Sequence, residues 1–318
     1  VTGGAGFIGS NLAKRLVAGG HDVVAADTFI SSHWNNLVDV NVPVGGKPLD
    51  LLTLEHRLDI DSIRAVVQRD GAFDVIFHQA ALTGVIAKDG TAAAGEDFQG
   101  FLRNNVEQFR QILDLAADTS ARVVWASSCS VYGRGKAPQR ESDPYDPLNI
   151  YAFSKVSKER LAARYAKKLS KPIVGLRYSN VYGPGEDHKG KLSSMIHQLA
   201  KQMRAGKRPR IFTAGEQRRD FVYIDDVVEA NLKAAQAKES GVFNAGAGTS
   251  WSFNEVVKEL NRVLQTNLAP DYFDNPYSFT QDHTETDMAL AKEKLGHVPQ
   301  VDLARGIDAY FASGKLGV

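Results

Sequence analysis

Three glycines recur at intervals of three in Val1-Thr2-Gly3-Gly4-Ala5-Gly6-Phe7-Ile8-Gly9, and no other stretch restricts the fold of this chain as strongly. Apolar Phe7 and Ile8 between them, and a helix-compatible run over residues 10–18, read as a strand end, a tight turn and the first turn of a helix. A side chain on Gly3 or Gly6 would hold a pyrophosphate away from the backbone N–H groups at the helix start. Gly9 would let that helix lie close to its strand. The spacing is looser than a full dinucleotide-binding fingerprint, so its meaning depends on the downstream residues. A plain glycine turn is the alternative, and the strand and acid beyond it count against that. Val1 already falls at the end of that first strand, so the residues that open the strand are expected to precede this sequence.

Residues 21–26 are a short apolar run suited to a buried parallel strand, and it ends at Asp27. An acid there can accept hydrogen bonds from adenosine ribose hydroxyls, whereas a 2′-phosphate asks for a basic neighbour. Residues 28–35 contain no Lys or Arg, only His33, which favours NAD and leaves NADP possible. The bland alternative for Asp27 is a helix cap or a solvated loop acid. Residues 29–56 are irregular, with glycines and Pro48 among them, and patterning places no element there. Asp59-Ile60 precedes a helix expected over 61–68, and a strand over 74–77 leads into His78-Gln79-Ala80-Ala81. Small Ala80 and Ala81 permit close approach of a flat cofactor, and equally suit a well-packed turn. His78 reads as a structural histidine under a loop.

Residues 83–100 show little periodicity and suggest a surface excursion beside the nucleotide crevice. A long helix with Asn105 at or near its start reaches 117, and a strand over 123–126 ends in Ser127-Ser128-Cys129-Ser130. A helix over 151–168 and a strand over 173–176 come next. Such alternation of short apolar strands and helices predicts an α/β fold: a Rossmann-type doubly wound parallel sheet, with strand-end loops forming a crevice. After residue 183 the pattern loosens, with helices expected over 191–205, 225–237 and 253–264 and an extended piece over 210–213. Residues 1–183 are therefore expected to form mainly the dinucleotide-binding domain. Residues 184–318 would form mainly a smaller, interleaved α/β substrate domain, with some segments returning to the first.

Composition excludes several classes. With 38 Lys and Arg against 37 Asp and Glu in 318 residues, there is no basic surplus for a nucleic-acid backbone. The single cysteine, Cys129, permits neither an intrachain disulfide nor a thiolate metal cluster, so no metal site is expected and a reducing, cytoplasmic setting is. Cys129 itself reads as a small buried filler. No stretch is long and apolar enough for a membrane span or patterned as a signal peptide.

Tyr151-Ala152-Phe153-Ser154-Lys155 puts a phenol and an ammonium four residues apart, on one side of a helix. A phenol with a reference pKa of roughly 10 is a poor base at neutral pH; a neighbouring ammonium and a positive nicotinamide ring both favour phenolate. Lys155 could also hold the nicotinamide ribose. Ser128, at a strand end, could orient an alcohol or stabilise a carbonyl oxygen. Alone, the tyrosine–lysine pair is a common surface pattern; after a glycine loop and a strand-end serine it becomes a candidate reacting group.

Together, Gly3-x-x-Gly6-x-x-Gly9, Ser128 four positions before Tyr132, and Tyr151-x-x-x-Lys155 resemble the extended short-chain dehydrogenase/reductase family of nucleotide-sugar epimerases, dehydratases and reductases. The resemblance covers essentially the whole chain, including Val181-Tyr182-Gly183-Pro184 and residues 219–227. It implies that Asp59 and Ile60 contact adenine, that Asn105 positions a helix, and that Asn180 contacts nucleotide-sugar phosphates. Residues 180–190 with Ser194-Met195, and later Tyr277-x-Phe279-Thr280-Gln281, are similar to the branch that inverts C6 of ADP-activated manno-heptoses. In that branch a lysine at the position of Lys189 acts with the tyrosine on opposite sides of the inverted carbon; on residues alone, His188-Lys189 is an exposed polar turn. The resemblance further implies a homodimer or larger homo-oligomer through helices of the first domain.

Other readings stay open. Cys129 and Ser130 stand where a sugar 4,6-dehydratase would carry an Asp-Glu pair, which argues against elimination of water. A UDP-sugar 4-epimerase would use Ser128, Tyr151 and Lys155 equally well. Arg219 could bind a pyrophosphate or pair with Asp220, and Tyr277 could cover the ADP or the sugar or simply pack. A non-catalytic nucleotide-binding regulator is the alternative outside enzymes.

Overall fold

The computed structural model describes residues 1–41, 50–53, 59–83, 98–275 and 281–318. Its main sheet is parallel. Strand Val24–Asp27 pairs with Asp50–Thr53 on one side, and Val75–His78, Arg122–Ser128, Ile173–Tyr178 and Gly241–Ala245 pair in succession on the other. The extreme N-terminus joins the two halves: Thr2 bridges both Ala26 and His78, donating its N–H to Phe77 O and accepting from Gln79 N–H. From Thr2 the strands run outward to 24–27 and 50–53 on one flank, then to 75–78, 122–128, 173–178 and 241–245 on the other. Strand order thus reverses beside Thr2, where the glycine turn leaves the sheet, and a crevice opens at such a switch point.

Alternation along the strands divides the core between two helical layers. Val124, Ala126, Val174 and Leu176 pack with Leu12, Leu16 and Val227, beneath the helices Phe7–Ala18 and Ile224–Ala235. Val123, Trp125 and Ile173 turn the other way, onto Phe109, Ile112, Leu113 and Ala162 of the helices Gln108–Thr119 and Ile150–Tyr165. All six residues of Ile173–Tyr178 are buried, as expected for a strand covered on both faces.

Beyond the main sheet, parallel pairs Asn180–Tyr182 with Phe221–Tyr223 and Arg210–Phe212 with Asp271–Phe273, and antiparallel Arg218–Arg219 with Trp251–Ser252, build the smaller layer. The helix Phe253–Leu264 begins as its sequence dictates, with a capping box between Ser252 and Glu255. Among the described residues no helix is long and apolar enough to cross a membrane.

Three local expectations change. The unplaced stretch 29–56 contains a 3-10 helix, Trp34–Asn41, and the edge strand Asp50–Thr53. The helix expected over 191–205 splits into a 3-10 segment Asp187–Leu192 and a helix Met195–Arg204, because Gly190 takes φ 53° and Ser193 is extended. The helix containing Asn105 begins earlier, at Phe98, and passes through a π-helical segment Leu102–Glu107.

Candidate functional site

The glycine turn has the shape its spacing requires. A Cβ on Gly3, at φ 68°, would stand 2.7 Å from Ala80 N, and one on Gly9 would stand 2.0 Å from Gly3 O. Gly6 caps the helix Phe7–Ala18 without any side-chain hydrogen bond, which leaves the first-turn N–H groups available for an anion. Ile8 is half-buried against the core and Phe7 is buried. Asp27 closes the neighbouring strand end: its carboxylate accepts from Ala5 N–H at 2.9 Å, Phe29 N–H at 2.9 Å and Ser32 Oγ at 2.6 Å. A backbone cradle without Cβ atoms beside a held carboxylate has the chemistry a dinucleotide asks for: space at Gly3 and Gly6 for a pyrophosphate, and an acceptor at Asp27 for ribose hydroxyls.

Other residues expected around a cofactor fall into two groups. Ala80 and Ala81, half-buried, lie just beyond His78 beside the glycine turn. Asn105 is fully buried and binds both Leu82 N–H (2.7 Å) and Leu82 O (3.1 Å) while donating to Ser154 Oγ (3.0 Å), so it ties the segment after His78 to the tyrosine-bearing helix. Asp59 is engaged as a helix cap, accepting from Asp61 N–H and Ser62 Oγ, with Ile60 opening that helix. His78 is structural: its Nδ1 pairs with Thr2 Oγ1 at 2.8 Å and its ring stacks on Phe109.

Ser128, Tyr151 and Lys155 come together. Asn149 Oδ1 caps the helix Ile150–Tyr165, so Tyr151 stands in its first turn with Lys155 one turn on, Nζ 5.3 Å from the Tyr151 ring centroid. Burial pushes the Tyr151 phenol above its ordinary value, and the Ser128 hydroxyl beside it pulls the other way. The ammonium expected to favour phenolate is itself desolvated: Lys155 Nζ donates to Ala126 O at 2.9 Å, and burial brings its pKa down to about 7, opposed by Glu159. Burial thus outweighs the charge that the sequence spacing suggests.

Glu159, which belongs to no motif visible in the sequence, anchors this geometry. Its oxygens accept from Ser127 Oγ, Arg177 Nε and Nη2, and Tyr145 OH, all within 2.5–2.9 Å and with Glu159 and Arg177 almost wholly buried. The bidentate pair with Arg177 fixes the helix to the strand Ile173–Tyr178, and the Ser127 hydroxyl ties it to the strand Arg122–Ser128, next to Ser128. Its position four residues beyond Lys155, on the same helix face, is the one signal the sequence offers for it. Cys129 is a buried filler, with Sγ against Arg177 O.

Where the strand Ile173–Tyr178 ends beside Ser128, the chain opens a cleft of about 450 Å³ lined by Asn180, Val181, Lys189, Arg219, Phe212 and Phe273, among others. Lys189 is desolvated, which lowers its proton affinity, while Glu186 raises it; its Nζ lies 5.4 Å from the centroid of the Phe7 ring. Arg219 makes no carboxylate ion pair among the described residues. It donates to Arg218 O, and burial brings it down to about 10. Asp220 does not pair with it, since its carboxylate is taken by Ser179, Ala247, Gly248 and Thr286. An available, desolvated guanidinium suits a pyrophosphate. Asn180 Nδ2 donates to Asp220 O, and His188 Nδ1 faces Asn36 Nδ2 at 3.1 Å, toward the glycine turn. Asn36 also donates to Ala5 O, a link for which the irregular stretch 29–56 gives no signal. Tyr277 lies outside the described residues.

Known proteins are similar to this chain in sequence and in fold. The family profile described as NAD dependent epimerase/dehydratase family matches residues 1–246. An ADP-L-glycero-D-manno-heptose-6-epimerase of Brachyspira hyodysenteriae is 34% identical, over 98% of this chain and 95% of that protein. The crystal structure of the Helicobacter pylori ADP-L-glycero-D-manno-heptose-6-epimerase is 35% identical with a TM-score of 0.84, covering 98% of this chain and 94% of the other. A UDP-glucuronic acid 4-epimerase from Bacillus cereus, solved in complex with UDP-glucuronic acid and NAD, is 28% identical with a TM-score of 0.83, covering 98% and 96%.

Proposed function

The chain belongs to the NAD dependent epimerase/dehydratase family, and from that premise we propose that it inverts C6 of an ADP-activated glycero-manno-heptose. It is an NAD-dependent nucleotide-sugar epimerase, and the C6 assignment narrows that activity. The observation that carries the narrowing is Lys189, a desolvated ammonium supplied to the cleft by an element other than the one bearing Tyr151.

When bound, NAD supplies a two-electron acceptor that takes hydride from the sugar carbon and returns it, so no net oxidation accumulates. Gly3, Gly6 and Gly9 admit the pyrophosphate, Asp27 receives the ribose hydroxyls, and Lys155 stands beneath the tyrosine. Tyr151 takes the proton of the C6 hydroxyl as the carbonyl forms, and Ser128 donates to the oxygen. The planar ketone turns about its C5–C6 bond and presents its other face. Lys189 then serves the oxygen in that second orientation and returns a proton to it. Arg219 holds the pyrophosphate of the sugar nucleotide, with Asn180 and Val181 lining the same wall. Burial around Tyr151 and Lys189 keeps water from the ketone between the two transfers. A homo-oligomer through helices of the sheet domain belongs to the same reading.

The test is product analysis by NMR after incubation with ADP-D-glycero-β-D-manno-heptose and, separately, UDP-galactose. Conversion of the heptose alone at C6 is the expected result. Conversion of UDP-galactose at C4 instead would select the 4-epimerase reading, which Ser128, Tyr151 and Lys155 also serve, and would leave Lys189 a binding role.

A further inference from the structure

Among the described residues no hydrogen bond joins the loop carrying Lys189 to the main sheet. Gly183, Gly185 and Gly190 take φ values of 142°, 97° and 53°, so the chain turns three times between the strand Asn180–Tyr182 and the helix Met195–Arg204. A loop with that much glycine has many accessible paths, and something must select one.

Asn11 Nδ2, donating to Pro184 O, and the Asn36–His188 contact hold the middle of the loop, and Glu186 joins its two ends. Glu186 is fully buried, and its carboxylate spans the loop: Oε1 accepts from Gly183 N–H at 3.2 Å and from Ser194 Oγ at 2.8 Å, and Oε2 accepts from Ser194 N–H at 2.5 Å. Its backbone carbonyl accepts from Lys189 N–H at 3.0 Å, setting the 3-10 turn that carries the lysine. Ser194 is in turn the N-cap of the helix Met195–Arg204, accepting from His197 N–H, so the carboxylate rests at a helix N-terminus, where negative charge is favoured. Tyr310, from the C-terminal helix Leu303–Ala312, faces the same carboxylate and pairs with His197 Nδ1 at 2.8 Å. Burial pushes the Glu186 carboxyl above its ordinary value, while the Ser194 and Gly183 donors and the charge of Lys189 favour the carboxylate.

We propose that Glu186 is the positioning residue for Lys189: one buried carboxylate ties both ends of the loop and holds the lysine against Phe7 at the cleft wall. This rests on the reading of Lys189 as a proton-transfer group. In Glu186→Gln an NH₂ replaces one carboxylate oxygen and meets either a backbone N–H or the Ser194 hydroxyl, so the closure loosens at nearly constant volume.

The experiment is a double-mutant cycle on the full chain with Glu186→Gln, Lys189→Met and the pair. It reads kcat and KM for ADP-D-glycero-β-D-manno-heptose together with the dissociation constant for NAD. Glu186→Gln is expected to lower kcat at least tenfold, with KM and NAD affinity within threefold of the wild type, and to add less than twofold to the loss in Lys189→Met. Ser194→Ala removes the hydroxyl contact to Glu186 and the cap to His197 N–H but keeps both backbone N–H bonds to the carboxylate. It is a second variant should the first fail to fold, and is expected to show the same kcat-only pattern, weaker. Effects that multiply in the double variant, or a normal kcat in both Glu186→Gln and Ser194→Ala, overturn the assignment. Wild-type turnover by Lys189→Met alone overturns the two-base reading and this inference with it, which separates the two failures.

Discussion

Lys155 Nζ donates to the carbonyl of Ala126 at 2.9 Å, from a side chain that is almost completely buried. That contact places an amine beneath the tyrosine while denying it the water that would keep it charged. Its pKa of about 7 lies well below the ordinary 10.5, with burial the cause and Glu159 opposing it. Between those two values the unfolded chain holds a proton that the folded chain has released, so stability rises with pH across the window. Below about 7 both states are protonated and the contribution is constant. The slope from this group approaches roughly 1.4 kcal/mol per pH unit. Denaturant unfolding of the cofactor-free protein at pH 7.5, 8.5 and 9.5 should show a steeper rise for the wild type than for Lys155→Met, by close to one proton. Parallel slopes would mean that the folded state leaves the amine its ordinary proton affinity.

Tyr151→Phe keeps the ring that faces Lys155 and removes only the hydroxyl beside Ser128. Turnover should drop by roughly a hundredfold or more, the usual worth of a positioned proton-transfer group, while NAD affinity stays close to the wild-type value. Normal turnover in the variant would remove Tyr151 from the chemistry.

Asp27 should decide between the two nicotinamide cofactors. Its carboxylate, held by Ala5 N–H, Phe29 N–H and Ser32, would face a 2′-phosphate as like charge, and residues 28–35 offer no Lys or Arg to compensate. Fluorescence titration should give NAD an affinity at least about tenfold above that of NADP, from the roughly 1.5–3 kcal/mol typical of hydrogen bonds to a charged group. Asp27→Ala should narrow the gap by weakening NAD. Equal wild-type affinities would show that the ribose lies elsewhere.

How much of the molecule is legible in its sequence depends on how local each signal is. The glycine turn, the strand ends at Asp27 and Ser128 and the Tyr151–Lys155 pair are set by spacing within a few residues, and the structure shows the turn against Ala80, Asp27 bound to Ala5 N–H, and Lys155 under the Tyr151 ring. The edge strand Asp50–Thr53 is invisible to patterning because four residues without alternation owe their conformation to pairing with Val24–Asp27. Glu186 escapes for the same reason. Its partners, Gly183 and Ser194, are loop residues without periodicity, and only the folded path shows that they meet. The fate of the Lys155 charge is equally hidden, since spacing reports proximity and says nothing of desolvation.

Lys158 offers a test of how the layer behind the tyrosine is built. It is fully buried, its Nζ lies 4.6 Å from the Phe109 ring centroid and 5.2 Å from that of Trp125, and it has no hydrogen-bond partner among the described residues. His78 Nε2 and Trp125 Nε1, around the same Phe109 ring, are also unpaired among those residues. Burial, reinforced by Lys155, pushes the amine well below its ordinary proton affinity, so it costs the folded state most where the unfolded chain is protonated, below about pH 10.5. Methionine is unbranched and one atom shorter, has no donor to satisfy and carries a sulfur that packs well against aromatic rings. Lys158→Met should therefore stabilise the protein at pH 7.5 by about 1–3 kcal/mol, the cost of an unsatisfied buried polar group, with a gain that shrinks as pH rises. Thermal and denaturant unfolding against the wild type measure it. A loss of stability would instead mean that Lys158, His78 and Trp125 share internal water, because only a satisfied amine is missed when it is removed.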